Sequence, residues 1–194
     1  MPPPFSEGIM YNIGVIMKEM KEYTIPFTGL KLGEHHFDFE ITNTFFAYFE
    51  YDEFNDAQVK LDVLLNKKTT LLEFTLNFSG TVNVNCDVTN EPYDQQINGD
   101  YHFVVKFGEV YNDENEDILI LPHGAHEVNI QQYIYESIVL AVPAKRVHPG
   151  VEDGSLKSEI LDKLEELTPD GSEDSENSET DPRWDNLKKL LTDK

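Results

Sequence analysis

The run from Leu71 to Cys86, LLEFTLNFSGTVNVNC, decides how this chain is read. It is rich in aromatic and β-branched residues and ends in alternating apolar and polar positions, which predicts a long strand. Its last residue, Cys86, is the only cysteine of the chain. Asp87, Glu91 and Pro92 follow closely, the last two within an Asn-Glu-Pro turn. Whether Cys86 is a nucleophile, half of a metal site or a packing residue depends on what surrounds it.

Similar runs lie on both sides: YTIPF, HFDFEI and QVKLDVLLN before it, YHFVVKFGE and DILIL after it. Phe37, Phe39 and Ile41 alternate with polar residues, as do Val59, Leu61 and Val63. Half-buried strands of this kind suit an antiparallel sheet with one wet face. Gly29, Gly33, Gly80 and Gly99 punctuate the runs, and TNTFFAYFE at 42–50 predicts a short inserted helix with Thr42 or Asn43 as cap. One longer helix is predicted in EVNIQQYIYESIVLAVP. There Asn129 is placed to cap, Gln132 to complete a capping box, and Val128 with Tyr133 to form a hydrophobic staple. Ile130, Ile134, Ile138 and Ala141 share a face and Pro143 ends the helix. The expected fold is α+β: mostly antiparallel sheet, one long covering helix, and an acidic C-terminal tail ending in a short helix.

The 194 residues suit one domain with extensions. A folded segment of about 150 residues buries roughly 70% of its unfolded surface, so a core needs no staple. One cysteine excludes an internal disulfide framework and a four-cysteine zinc cage. The net charge of −22 is spread over the parts before and after Gly150, so it is more than a solubilising tail. Lysine and arginine cluster only as pairs, at 67–68, 145–146 and 188–189. Broad phosphate binding is therefore disfavoured, and basic partners are favoured.

Residues 1–19 make a poor signal peptide, lacking a basic start and a cleavage site, and their apolar stretch is too short to span a bilayer. They are expected to be an extension upstream of a natural start at Met20, with Met17 and Met1 as the other candidates. Residues 20–150 are the expected domain, and a cytoplasmic monomer without membrane contact is the expected state. Residues 151–180 read as an amphipathic segment through Leu156, Ile160, Leu164 and Leu167, followed by a disordered acidic linker. In 181–194, Asp181 caps, Pro182 takes the first helical position, and Trp184, Leu187 and Leu191 form a stripe beside Arg183. A helix so short is marginal alone, so this segment is expected to dock, on the domain or on a partner.

A nucleophilic cysteine needs a base or a positive field. Asp87 and Glu91 are expected to raise the Cys86 pKa, and the favoured role is packing. His123 and His126 in PHGAHE lie between Pro122 and Gly124 in loop sequence, without the helix geometry or third ligand of a metal motif. Phosphate-loop, dinucleotide and nucleophile-elbow motifs are absent from the sequence. Nothing specifies an enzyme or a cofactor.

Taken together, YTIPFTGLKLGEHHFDFEI, the pair Phe45 and Phe46, FSGTVNVNCDVTNEPYDQQI, VNIQQYIYESIVLAVP and DPRWDNLKKL resemble the bacterial YceD-type family, the large ribosomal RNA subunit accumulation proteins. The resemblance implies a role in accumulating large-subunit ribosomal RNA and makes Cys86, Asp87, Glu91 and Pro92 a family motif. Many members carry a second cysteine three residues after the first and more after the long helix, which look like metal ligands. Here the second position is Thr89, and PAKRVHPG follows the helix. The expected function is a non-enzymatic ribosome biogenesis factor acting through a basic ribosomal or assembly protein, with indirect association with the RNA. A metal-dependent RNA-processing enzyme and a general protein-interaction module are the alternatives.

Overall fold

A computed structural model describes residues 20–168, except the side chain of Glu152, and the backbone of 9–12 and 15–18. The chain divides into two compact units, Met1–Leu156 and Lys157–Lys194. The first unit opens with β1 (Ile9–Asn12) and β2 (Val15–Lys18), which pair only with each other. There follow β3 (Thr24–Pro26), β4 (Gly33–Thr42), α1 (Asn43–Tyr48) and β5 (Asp56–Lys67). Next come the two longest strands, β6 (Leu71–Asn85) and β7 (Pro92–Gly108), then the short β8 (Asn112–Asn115), β9 (Ile118–Pro122) and β10 (Glu127–Asn129). Helices α2 (Gln131–Ala141) and α3 (Pro149–Glu152) complete it.

Six strands form one sheet in the order β4-β5-β6-β7-β9-β8, and β3 pairs separately with β10. The fold thus mixes α and β structure and is mostly sheet. Pairing is antiparallel from β4 through β7, but β9 runs parallel to β7, with Val104 opposite Ile118 and Gly108 opposite Pro122. The sheet is thus mostly antiparallel, as expected, with one parallel pair that the alternation of the strands does not announce. Residues 109–117, including β8, return the chain so that β9 enters beside β7 in the same direction. The continuous apolar run Ile118–Leu121 is the composition of a strand covered on both faces.

Alternation sorts the sheet into two faces. Ile41, Val59, Leu61, Val63, Leu65, Phe74, Leu76, Phe103 and Val105 are buried on the inner face, while Glu34, Asp38, Glu40, Lys60 and Asp100 are exposed on the outer. Burying each large apolar side chain stabilises the fold by about 1.5–3 kcal/mol before ordering costs. The strands also run through Gly80 and Gly99. Those glycines are interior positions of strands, and in particular Gly99 does not begin or end one.

Helix α1 inserts between strands as expected, after Thr42. Its Phe45 and Phe46 are fully buried and pack edge-on with centroids 5.3 Å apart. Helix α2 buries Ile134 and Ile138 and begins after the buried Ile130. The cap position falls on Ile130, whose side chain makes no capping bond, and not on the expected Asn129, which ends β10 but still accepts from the Gln131 N–H through its Oδ1 at 3.0 Å. Gln132 does not close a capping box, because its amide donates to Glu136 one turn on. Tyr133 lies 4.0 Å from Phe103 of β7 in a stacked pair, which fixes the helix on the inner face. Gln131 is fully buried, and its Oε1 accepts from the Met20 N–H at 2.6 Å.

In the second unit, α4 (Glu159–Leu167) begins after Ser158, whose hydroxyl accepts from the Ile160 N–H. Ile160, Leu164 and Leu167 of its expected stripe are exposed, whereas Leu156 precedes the helix in the first unit. Asp181, Pro182, Arg183, Trp184, Leu187 and Leu191, with the acidic linker before them, lie outside the described residues. No helix among the described residues is long and apolar enough to cross a membrane.

Candidate functional site

The β6–β7 ladder brings together what the sequence motif holds. Its last pair is Asn85 opposite Pro92, so residues 86–91 form the turn that closes it. Within the turn the Cys86 N–H donates to the Glu91 carbonyl at 2.9 Å, and the Asn90 N–H to the Cys86 carbonyl at 2.8 Å. Asn90 takes the left-handed conformation, φ 59°, which asparagine tolerates better than most residues. Thr89 is buried, and its hydroxyl accepts from the Glu91 N–H. Pro92, which lacks an N–H, begins β7 and is exposed, as suits a strand's first residue.

The segment after α2 folds back over this turn. Asp87 and Arg146 exchange two hydrogen bonds: the Asp87 N–H donates to the Arg146 carbonyl, and the Arg146 N–H to Asp87 Oδ2, both at 2.7 Å. The Arg146 guanidinium also reaches Glu53 Oε2 at 2.8 Å and Asp87 Oδ1 at 3.4 Å. Burial pulls its pKa down, but the Glu53 hydrogen bond and the two carboxylates hold it above the ordinary value. Two residues on, the His148 N–H donates to Cys86 Sγ at 3.3 Å, and His148 Nδ1 accepts from the Gly150 N–H at 2.9 Å. The His148 ring packs edge-on against Tyr93.

Cys86 is therefore buried, 2% exposed, as a packing residue would be. Its pKa runs against expectation. Burial pushes the thiol up, but donors from His148, the Thr89 hydroxyl and N–H, and the Val88 N–H outweigh it and bring it to about 7 from an ordinary 9.0. The Asp87 carboxylate, turned toward Arg146, does not decide the balance. Beside this corner lies a polar cleft of about 380 Å³ edged by Glu53, Asn55, Asn85, Asp87 and Arg146. Sequence reading missed the contributions of Glu53, Arg146 and His148. In the sequence the Lys145–Arg146 pair reads only as a basic doublet.

The corner does not fit a zinc ion. Thr89 stands where the resemblance implies a second thiolate, His148 Nδ1 already accepts from the backbone, and no three His, Cys, Asp or Glu side chains group for a metal among the described residues. His123 and His126 sit exposed between β9 and β10. Their backbones serve the fold: the His123 N–H donates to Gly108, and the His126 carbonyl accepts from Phe27 and Thr28. His102 pairs its ring with the Phe74 carbonyl at 3.0 Å.

Fold and corner together define a sheet domain whose longest hairpin is latched to its last helical connection by hydrogen bonds. The family model described as Large ribosomal RNA subunit accumulation protein YceD matches residues 74–191, more than half of the chain. This chain belongs to that family. The match begins within β6 and takes in the Cys86 turn, α2 and the Arg146–His148 segment. No curated protein and no solved structure matches the chain.

Proposed function

We propose that this protein is a non-enzymatic ribosome biogenesis factor that supports accumulation of large-subunit ribosomal RNA by binding a basic ribosomal or assembly protein. Family membership is the observation that carries the reading. Charge supports the choice of a protein over RNA as the direct partner. A chain of net charge −22 whose lysines and arginines cluster only as pairs can neutralise few phosphates at once, and its overall charge opposes extensive contact with RNA. It attracts cationic surfaces instead. The segment containing Asp181, Pro182, Arg183, Trp184, Leu187 and Leu191 is a second contact in this proposal, with Trp184 as an aromatic anchor on a tether.

The test is a gene deletion, with large- and small-subunit ribosomal RNA quantified from cells grown warm and cold. The mature large-subunit RNA should fall relative to the small. Unchanged subunit profiles in the cold, where assembly is slowest, would remove the proposal.

A further inference from the structure

Among the described residues, the first strand of the six-stranded sheet, β4, has one strand partner, β5, and an open edge on its other side. At ten residues it is a long edge, the kind that natural proteins cover or protect. Its two faces are chemically opposite. Glu34, His36, Asp38 and Glu40 point outward and are exposed. Phe37 and Phe39 point inward and pack on the core, yet stay partly exposed, while their ladder partners Val63 and Leu61 are 0% and 2% exposed. The apolar layer therefore continues to the edge, where the Tyr23 ring packs on Phe39 at 5.6 Å and both phenylalanines remain partly exposed among the described residues.

The carboxylates of Glu34 and Asp38 have no lysine or arginine directly opposite them. Asp38 stands opposite Asp62, whose Oδ1 meets His36 Nδ1 at 3.2 Å, and Glu34 stands opposite Asn66, whereas Glu40 faces Lys60. Like charges placed directly opposite are unfavourable in a sheet. A second copy of this chain adding β4 to β4 would set carboxylates against carboxylates, so the same charges oppose self-pairing. A groove of about 640 Å³ runs along this outer face over Asp38, Glu40, Lys60 and Asp62.

We propose that the open edge of β4 receives an extended segment of a partner protein in which basic and apolar residues alternate. The added strand takes main-chain hydrogen bonds from β4, the mode known as strand addition. Its lysine or arginine side chains lie on the outer face beside Glu34 and Asp38. Its apolar side chains extend the inner layer beside Phe37 and Phe39. The inference rests on the proposed basic protein partner and gives that partner a site and a sequence period of two.

The full chain is titrated at low salt with a labelled peptide of alternating lysine and valine. Two further peptides serve as comparisons: one of the same composition with its lysines and valines in separate blocks, and one alternating but N-methylated at alternate backbone nitrogens. The alternating peptide should bind at least about tenfold more tightly than either, since only it matches the two-residue side-chain period and can complete the ladder. Glu34→Lys with Asp38→Lys should weaken it at least about tenfold, while Glu114→Lys with Glu116→Lys, an equal charge change on exposed residues near β8, should leave it within about twofold. Equal binding of all three peptides, or equal losses in both double variants, would overturn the assignment; the peptide comparison holds even if a variant folds poorly. In cells lacking the wild-type gene, the Glu34/Asp38 variant should fail to restore the ribosomal RNA ratio and the Glu114/Glu116 variant should restore it. Full restoration by the first would refute the edge while leaving the assembly role standing. An unchanged ratio on deletion, with selective peptide binding intact, would refute that role and leave the edge standing.

Discussion

The backbone N–H of His148 donates to the sulfur of Cys86 at 3.3 Å, joining positions 62 residues apart in sequence. This contact and the paired bonds between Asp87 and Arg146 tie the segment after α2 to the β6–β7 turn. Sulfur is a weak acceptor when protonated, and a thiolate accepts far better, so the donors around Cys86 favour its ionised form.

Replacing the sulfur tests the latch. Cys86→Ala removes the acceptor and leaves the half-buried His148 N–H without its partner, which should cost about 1 kcal/mol, the low end for an unpaired donor. Cys86→Ser keeps an acceptor and should lose less. Urea denaturation of both variants measures the difference. An alanine variant as stable as wild type would show that the contact is incidental.

The thiol should titrate near pH 7, read as thiolate absorbance or as the pH dependence of alkylation. The sign for stability follows by linkage. The folded thiol ionises near 7 and the unfolded one near its ordinary 9.0, so between these values the unfolded state holds more protons. Wild-type stability relative to Cys86→Ser should therefore rise from about pH 7 to 9, level off above that, and be lost as pH falls through 7. A difference that is flat or falls with pH would contradict the donor geometry.

Legibility differed by kind of feature. Burial of Phe74, Leu76, Val82 and Val84 follows from alternation, because a strand's two faces are written in its own sequence. The helix start was readable to within one residue, since the cap falls on Ile130 while the Asn129 side chain accepts from the first helical N–H. Pairing of β9 with β7 was not, since it depends on how 109–117 turn back, although the unbroken apolar run Ile118–Leu121 carried a hint. The Cys86 corner needed Arg146 and His148 delivered from beyond α2, and no local pattern encodes such a meeting. The acidic neighbours misled because side-chain direction outweighs sequence distance: Asp87 faces Arg146, and the sulfur faces N–H groups.

Helix α1 ends in a way that permits gain. Glu50 has φ 55°, its N–H donates to the Ala47 carbonyl at 3.1 Å, and the Tyr51 N–H reaches back to the Phe46 carbonyl at 3.1 Å. This is the Schellman pattern, in which the left-handed position is usually glycine. Glu50→Gly should stabilise the protein by about 0.5–1 kcal/mol, and Glu50→Ala, which keeps the Cβ, should not. Thermal melts of the pair decide it; an equal gain from alanine would place the effect in the lost charge instead.

Two strand glycines should behave differently despite similar surroundings in sequence. Gly80 pairs with Val59, and a Cβ there would lie 2.1 Å from the Gln58 carbonyl oxygen and 2.6 Å from the Val59 Cα. Both are backbone atoms of β5, so relief requires separating the strands. Gly99 pairs with Phe78, and its Cβ would meet the far edge of that ring at 2.7 Å. A ring edge can tilt away, though it disturbs its own packing. Gly→Ala normally gains about 0.4–1 kcal/mol by restricting the unfolded chain, and here that gain opposes a clash in both cases. Gly80→Ala should cost about 3 kcal/mol or more, and Gly99→Ala about 1–2 kcal/mol, on the scale of overpacked cores. Urea midpoints at matched slope would measure both. Equal losses would mean that the β5–β6 approach yields as readily as an aromatic side chain, and that the close contact at Gly80 does not constrain the sheet.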